Sequence, residues 1–428
     1  MTSKMNNKRV CIIGAGLSGL AIAYFLSKEG FNVSVFEKEE EVGGLLQTIE
    51  TPNGQYIEKF YHHIFTNDIE LLNLIEELGI SYTIKWHPSS VSIYRDKSIY
   101  DFSSPVDIFK LDFMSIGSRF RYVIGSLFLL LKSRGFDNLS AKEVIEKYLG
   151  KQVWQEFWRP LFEGKFSKYA PSINANWFLS RLKSRIQSRT KGKEILGYMD
   201  GSFKLLVDRL AREIIIRGGE ILTNKDINNI KNNNNQFLVD GKPFDFMIST
   251  ISPKIFLDTI DFNLEENHQL RSVEYIGVIS CLIRLNKKIT DHYWNNIFDQ
   301  ETLFKGIIEH TNLLNPKIYG NSHFLYLSHY LPTDSAFFRK SDSEIKSEYL
   351  IHLNKLFPDI NNHVSDLYVF KNEEAQPIIK KDYREIPNKL SVKNLFITSM
   401  SHIYPKDRGL NNAVKQAIKI RDLIIDSF

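Results

Sequence analysis

Six consecutive residues near the start of the chain have the spacing of a dinucleotide-binding turn, namely Gly14, Ala15, Gly16, Leu17, Ser18 and Gly19. In a G-x-G-x-x-G turn the first glycine permits a tight bend, the second lets the backbone approach a pyrophosphate, and the third lets helix and strand pack closely. The pyrophosphate then lies at the positive end of the following helix. Glu37 comes about 20 residues after the turn, where a carboxylate accepts hydrogen bonds from ribose hydroxyls. These residues predict a dinucleotide site.

A second pair of glycines, Gly43 and Gly44, follows Glu37 and Lys38. Proteins that bind NAD and proteins that bind FAD share the first turn, so the residues after it have to discriminate between the two cofactors. In flavoproteins the backbone passes close to the dinucleotide again at this point. The second pair therefore favours FAD, and it extends the predicted cofactor site to Lys38, Gly43, Gly44 and Leu45.

The apolar pattern places these motifs in an α/β protein. Residues 9–37 predict a strand, a turn, a helix and a second strand, and the chain closes with a strand at Leu395 to Thr398 and a helix at Asn412 to Asp426. Both ends of the chain then build one Rossmann-like domain. We assign it to residues 1–66, 197–260 and 390–428.

The middle of the chain predicts two further domains. Residues 67–196 are mainly helical in pattern, with a Ser-x-x-Glu capping box at Ser140 and Glu143, and form a helical insertion. Residues 261–389 contain strand-like runs such as Gly277 to Leu285, which indicate an antiparallel sheet on the substrate side.

Composition excludes several other classes of protein. The 428 residues carry a formal net charge of +5, which gives no indication of nucleic acid binding. The two cysteines are far apart in the chain and exclude a disulfide framework. No metal-binding spacing is present, so no metal site is predicted. The polar N-terminus lacks the apolar segment of a signal peptide, so we expect a cytoplasmic protein.

The longest apolar run is Tyr122 to Leu131, about half of what a membrane-spanning helix needs. Basic residues flank it, at Arg119, Arg121, Lys132 and Arg134. This pattern is typical either of a buried helix with solvated ends or of a helix lying in a membrane interface. Peripheral membrane contact and the oligomeric state both stay open.

Further motifs along the chain carry a resemblance to a known superfamily. They are Phe60-Tyr61-His62-His63-Ile64-Phe65, Trp158-Arg159-Pro160-Leu161-Phe162, Gly218-Gly219-Glu220-Ile221, Ile248-Ser249-Thr250 and Tyr404-Pro405-Lys406-Asp407-Arg408-Gly409. With them the chain resembles the amine oxidase, protoporphyrinogen oxidase and phytoene desaturase superfamily of flavoproteins. It is most similar to a bacterial group of protoporphyrinogen-oxidase-like NAD(P)/FAD-dependent oxidoreductases.

The resemblance implies FAD and further residues that contact it, and no residue of the sequence indicates a covalent link, so we expect a non-covalent FAD. The adenine would meet the backbone at Asp226 and Ile227. Thr250 is a further cofactor-binding residue that the resemblance implies. The C-terminal loop and helix would pass the pyrophosphate, ribityl chain and flavin ring at Ser399, Met400, Arg408, Gly409, Leu410 and Asn411. The superfamily commonly carries Gly-Asp where this chain has Ser399-Met400, so binding would depend more on backbone and hydroxyl donors.

Candidate substrate residues fall into two groups. His62 and His63 follow a predicted strand, in a segment near the flavin in related folds, and could orient substrate or shuttle a proton; alternatively one packs and one is solvated. A cluster of basic and aromatic residues could hold a phosphate or carboxylate, or could be a solvated helix face: Arg159, Lys165, Trp177 and Arg181. Arg408 could equally tie domains together.

Three functions compete. The resemblance favours an FAD-dependent dehydrogenase, desaturase or oxidase that passes a hydride from an amphiphilic, small-molecule or lipid-linked substrate to flavin N5. A redox-neutral mutase acting on a sugar nucleotide or glycolipid is the first alternative. A flavin-binding scaffold without turnover, in a glycan or lipid assembly complex, is the second.

Overall fold

A computed structural model describes residues 8–132, 135–187, 189–190, 193–233 and 236–428. Residues 1–7 of the predicted first domain and the flanking Arg134 lie outside these ranges. The described strands are β1 (Arg9–Ile13), β2 (Asn32–Phe36), β3 (Thr48–Glu50), β4 (Tyr56–Glu58), β5 (Ile64–Phe65), β6 (Ile84–Pro88), β7 (Val91–Arg95), β8 (Ser98–Asp101), β9 (Arg189–Thr190), β10 (Lys193–Met199), β11 (Glu220–Leu222), β12 (Lys231–Asn233), β13 (Gln236–Val239), β14 (Lys242–Phe244), β15 (Phe246–Ser249), β16 (Tyr275–Leu285), β17 (Trp294–Ile297), β18 (Gly306–Glu309), β19 (His323–Leu331), β20 (Val364–Pro377) and β21 (Leu395–Ile397).

The first sheet has five parallel strands in the order β11-β2-β1-β15-β21. Its four strands other than the edge strand β11 are buried on both faces, as parallel strands usually are, and β11 is half-buried. Val10 and Ile12 share a core with the helices Leu17–Lys28 and Leu410–Ile425, whereas Cys11 shares a core with residues of β13 and β14. The two ends of the chain therefore meet in one Rossmann-like domain, and the predicted α/β fold class is confirmed.

The second sheet has seven strands in the order β20-β16-β19-β18-β17-β7-β8, and only β17 and β7 are parallel. Ile279 and Cys281 on β16 pack against the helix Asp342–Leu356. Val278 and Leu282 point to the opposite face, because side chains alternate along a strand. β7 and β8 come from residues assigned by sequence to the helical insertion, yet they extend this sheet.

Between residues 116 and 187 the described part of the insertion contains seven consecutive helical segments: Ile116–Leu131, Ala141–Tyr148, Lys151–Val153, Trp154–Trp158, Arg159–Phe166, Ser167–Ser172 and Ala175–Gln187. The predicted capping box is present, since the Ser140 N–H donates to Glu143 and the Glu143 N–H donates to the Ser140 hydroxyl. Further helices are Ile69–Glu77, Lys204–Ile216, Pro253–Thr259 and Asn267–Arg271. No helix in the described ranges combines the length and apolar character needed to cross a membrane.

Candidate active site

The Gly14 to Gly19 turn is packed so tightly that two of its glycines admit no side chain. Gly14 has a φ of 95°, and a Cβ there would lie 2.7 Å from the Thr250 hydroxyl. A Cβ on Gly19 would lie 2.0 Å from the carbonyl oxygen of Gly14. Thr250 donates its hydroxyl to the Ile13 carbonyl at 2.8 Å. Its side chain thus holds the turn in place.

Gly16 differs from its neighbours because a Cβ there would meet no atom within 4 Å. Gly16 is the N-cap of the helix Leu17–Lys28, and no side chain caps that helix. The first N–H groups of a helix have no partner within the helix. Open space beside such groups suits an anion. Gly44 closes this region from the other side, with its Cβ position 3.3 Å from the Gly16 Cα.

Glu37 stands between two backbone segments at the end of β2. Its Oε2 accepts the Ala15 N–H at 2.7 Å, and its Oε1 accepts the Glu39 N–H at 3.1 Å. Each carboxylate oxygen can accept a further hydrogen bond, so a ribose hydroxyl can be added to this arrangement. Lys38 is exposed and pairs with Glu39.

The segment after β11 runs beside the same loop, where the Lys225 N–H donates to the Glu37 carbonyl at 2.8 Å. Asp226 is exposed and Ile227 is buried. The residues predicted for adenine therefore lie next to those predicted for ribose.

A second glycine-capped helix lies in the C-terminal part of the site. Gly409 is the N-cap of Leu410–Ile425, has no side-chain cap, and leaves open space at its Cβ position. This helix begins two residues before the predicted Asn412. Asn411 uses its side chain elsewhere, since its Oδ1 accepts the Leu71 N–H and its Nδ2 donates to Glu70.

The residues before this helix form a polar loop. Ser399 lies within hydrogen-bond distance of Ser401, His402 and Tyr275 through its hydroxyl. Met400 begins a short 3-10 helix and is half-buried. The chain thus offers two uncapped helix N-termini, a close glycine pair and a carboxylate, which together fit a flavin dinucleotide.

A small cavity of about 20 Å³ lies where the cofactor segments meet the seven-stranded sheet. Its wall consists of Leu45, Phe60, Tyr61, His62, Val278, Ser280, Ser328, Tyr330 and Arg408. Ser280 and Ser328 face each other across β16 and β19. Both hydroxyls are buried, and neither has a hydrogen-bond partner within 3.5 Å among the described residues, although Ser328 lies close enough to the Tyr61 side chain to interact with it. Buried polar groups usually have partners, so this pair is available to a ligand.

The two adjacent histidines have different surroundings. His62 lines the cavity, and its Nδ1 lies 2.7 Å from the Phe60 carbonyl oxygen, which can only accept; Nδ1 therefore carries the proton. His63 is absent from the described cavity wall, and its Nδ1 lies 3.3 Å from the Tyr293 hydroxyl. Burial lowers the pKa of His62 to about 3 and that of His63 to about 4. Both rings are therefore neutral at pH 7. Their pKa values lie below the near-neutral pKa expected from the sequence alone.

Arg408 fills one side of the cavity. Its guanidinium donates to the Ala375 carbonyl and to the Tyr330 hydroxyl, and lies 5.4 Å from the centre of the Tyr330 ring. An arginine keeps its charge at any ordinary pH. Arg408 therefore supplies a fixed positive charge beside Gly409.

Two of the four predicted substrate residues, Lys165 and Arg181, bind Asp407, for which the sequence indicated no role, and a third, Trp177, packs against both of them. Lys165 Nζ lies 2.6 Å from Asp407 Oδ2, and Arg181 donates to the same oxygen. The Trp177 ring lies 5.2 Å from Lys165 Nζ and 5.9 Å from the Arg181 guanidinium. Arg159 stands apart and pairs with Glu163 at 3.8 Å.

The pKa values of Asp407 and of its partner Lys165 are strongly shifted. Burial lowers the pKa of Lys165 to about 7, although Asp407 opposes the change. Burial by itself would raise the pKa of Asp407, but Lys165 and Arg181 hold it well below its usual value. Asp407 thus ties the helical insertion to the C-terminal loop.

A buried carboxylate, Glu58, lies on β4 close to the histidine segment and was also missed by sequence. Its side chain accepts the Phe203 N–H at 2.7 Å and the Tyr198 hydroxyl. The Tyr326 hydroxyl donates to its backbone carbonyl at 2.7 Å. Burial raises the pKa of Glu58 to about 7.

This architecture and site are those of a flavin-dependent oxidoreductase. The model of the flavin containing amine oxidoreductase family matches residues 17–397, and the chain belongs to that family. The predicted superfamily is therefore confirmed, and the protein is an enzyme whose substrate the family leaves unspecified.

Several relatives resemble the chain. Protoporphyrinogen oxidase 2 of Arabidopsis thaliana is 27% identical over 155 residues, which cover 36% of this chain and 30% of that protein. The chain thus matches less than a third of that relative's length. The 15-cis-phytoene desaturase of Arabidopsis thaliana is 22% identical over 414 residues, covering 89% of this chain and 72% of the relative.

Solved structures share the fold over nearly the whole chain. An oxidoreductase from Methanosarcina mazei has a TM-score of 0.75 and 16% identity, covering 97% of this chain and 100% of the other. A reduced UDP-galactopyranose mutase has a TM-score of 0.74 and 13% identity, covering 98% and 94%. At such identities the likeness shows the fold alone.

Proposed function

We propose that the protein binds FAD without a covalent bond and oxidises an amphiphilic organic substrate. Support for the cofactor comes from the helix N-termini at Gly16 and Gly409, which leave open space and lack side-chain caps. The positive end of a helix stabilises negative charge beside it. One N-terminus suits a pyrophosphate, and the other suits the electron-rich edge of a reduced ring. When bound, FAD supplies the hydride acceptor at N5.

The observation that carries the substrate side is the position and chemistry of the cavity. Apolar and aromatic side chains form most of its wall, and no Asp or Glu from the described ranges is among them. His62 contributes an unprotonated Nε2 that accepts a hydrogen bond, and Ser280 and Ser328 contribute hydroxyls. We assign the apolar part of the substrate to this wall, with His62 orienting its polar group.

A redox-neutral mutase is the second candidate, because the UDP-galactopyranose mutase has the same fold as this chain. A sugar nucleotide would need cations for its diphosphate. Lys165 and Arg181 already share Asp407, and Arg408 donates to Ala375 and Tyr330. These pairings favour net oxidation over the mutase.

Two measurements test the proposal. Heat denaturation of the purified protein is expected to release FAD; release of FMN, or a colourless protein that binds NAD, would contradict the cofactor. Extracts of small molecules and of lipids, supplied separately without oxygen, are expected to bleach the visible flavin absorbance and yield an oxidised product. A mutase would give no oxidised product, and a scaffold would give no bleaching.

The matched pair His62→Ala and His63→Ala tests the cavity itself. His62→Ala is expected to slow flavin reduction by about 10²-fold, the lower range for a group that handles a proton or orients its donor. His63→Ala is expected to change that rate little, because His63 lies outside the described wall. Flavin content serves as the control for both. Equal rates in the two variants would contradict the assignment of the cavity.

A further inference from the structure

The helix Ile116–Leu131 exposes a continuous apolar face. Its most exposed apolar side chains are Ile116 (68%), Phe120 (54%), Ile124 (66%), Leu127 (57%), Phe128 (45%) and Leu131 (86%). At 3.6 residues per turn these positions fall within about one third of the helix circumference. Gly125 and Leu129 lie on the opposite side and are buried. The helix is therefore docked on the protein by one side and presents the other to its surroundings.

The apolar face continues beyond the helix. The Phe109 ring lies 5.1 Å from the Phe120 ring. A groove of about 440 Å³ runs along the helix beside Phe128 and Tyr148. Monomeric soluble proteins rarely expose apolar patches of this extent without a function for them.

All charged residues of the helix Ile116–Leu131 are positive. Its sequence contains arginines at 119 and 121 and no Asp or Glu. The Arg121 guanidinium donates to the carbonyl of Lys147, and the exposed Lys132 follows the last helical residue. These cations adjoin the apolar row, as in helices that lie in an anionic membrane surface.

We propose that this face docks on an anionic lipid bilayer, with Ile124, Leu127 and Leu131 entering the acyl boundary and the adjoining cations meeting lipid phosphates. A second copy of the chain would cover apolar side chains but would bring cations against cations. An anionic bilayer accommodates the apolar side chains in its acyl region and the adjoining cations at its phosphates. This inference is independent of the proposed reaction, since it concerns a surface outside the cavity.

The test compares two double variants of the full-length, flavin-loaded protein. Ile124→Glu/Leu127→Glu changes residues of the face that are 66% and 57% exposed. Ile216→Glu/Ile215→Glu is the matched control, because these residues are 64% and 59% exposed on the helix Lys204–Ile216. Cosedimentation is measured with vesicles of phosphatidylcholine alone and of phosphatidylcholine mixed with phosphatidylglycerol, at low and high salt.

We expect the unchanged protein and the control to bind the anionic vesicles, and less at high salt. The face variant is expected to bind at least about tenfold more weakly. Equal loss in both variants would overturn the proposal, as would absence of binding to anionic vesicles or equal binding to neutral ones. A dimer that only the face variant dissociates, with vesicle binding unchanged, would assign the face to a second copy. Equal unfolding temperatures and flavin content verify that both variants fold.

Discussion

The cofactor side and the substrate side of the site are built from different materials. On the cofactor side, Gly14, Gly16 and Gly409 present backbone, and side chains such as Thr250 only hold that backbone in place. On the substrate side, side chains from distant segments meet at the cavity and at Asp407. Added side-chain atoms should therefore disrupt the cofactor side. Loss of a charge or of a hydrogen bond should disrupt the substrate side.

The largest effect is expected for Gly19→Ala. Its new Cβ would meet the Gly14 carbonyl oxygen at 2.0 Å, so the turn has to open. Overpacking typically costs about 1–3 kcal/mol and occasionally more, and an overlap this close with backbone should cost more than about 3 kcal/mol. Both the thermal unfolding temperature and the flavin content should fall.

Gly16→Ala is the matched control for stability, because its Cβ meets no atom within 4 Å. Its unfolding temperature should equal that of the unchanged protein, while its flavin content falls because the methyl group occupies the open space. Full flavin content in Gly16→Ala would show that the dinucleotide does not pass there.

Asp407→Asn tests the substrate side. The change leaves Lys165 and Arg181 without their carboxylate, and breaking a buried pair costs about 3–5 kcal/mol. Because Arg181 is 34% exposed, we expect the lower value, about 3 kcal/mol, in denaturant unfolding. Asp208→Asn removes the exposed i,i+4 pair with Lys204 and should cost about 0.3–0.5 kcal/mol. Similar costs for the two variants would mean that Asp407 is not a structural tie.

Glu58 makes stability depend on pH. Its pKa is raised from 4.5 to about 7 in the folded protein, so the folded state binds the proton more tightly. The associated stability is complete below pH 4.5 and is lost as the pH rises through about 7. Relative to Glu58→Gln, the unchanged protein should lose about 3 kcal/mol of unfolding free energy as the pH rises from below 4.5 to above 7. Glu50→Gln, on the paired strand β3, should keep the pH dependence; a variant Glu58→Gln that also keeps it would contradict the shift.

The smallest effect is expected for Glu37→Gln. The carboxylate accepts the Ala15 and Glu39 N–H groups on two different oxygens. An amide has only one oxygen and presents an NH2 donor in place of the other, so one of these N–H groups loses its acceptor. We expect a loss of about 1.5–2 kcal/mol in unfolding free energy, measured without flavin, and a weaker affinity for FAD. Glu39→Gln, on the same loop, serves as the control. An unchanged FAD affinity in Glu37→Gln would restrict Glu37 to holding the loop.

The same contrast explains what the sequence could predict. The Gly14 to Gly19 turn follows from local spacing, because glycine alone tolerates its backbone geometry and close contacts. Asp407 could not be foreseen, since Lys165 and Arg181 reach it from other elements of the fold. The lowered pKa of His62 likewise results from tertiary burial. The strand β7 was missed because its pairing with β17 joins distant parts of the chain, and β8 extends the sheet only through its pairing with β7.

The central claim is that the two sides meet at one reaction site. A crystal structure of the FAD-loaded protein tests it most directly. The account predicts the pyrophosphate beside Gly16 and the flavin ring between Gly409 and the cavity, with His62, Ser280 and Ser328 facing the space next to the ring. A ring that lies away from this cavity, with those three side chains outside any connected pocket, would contradict the account.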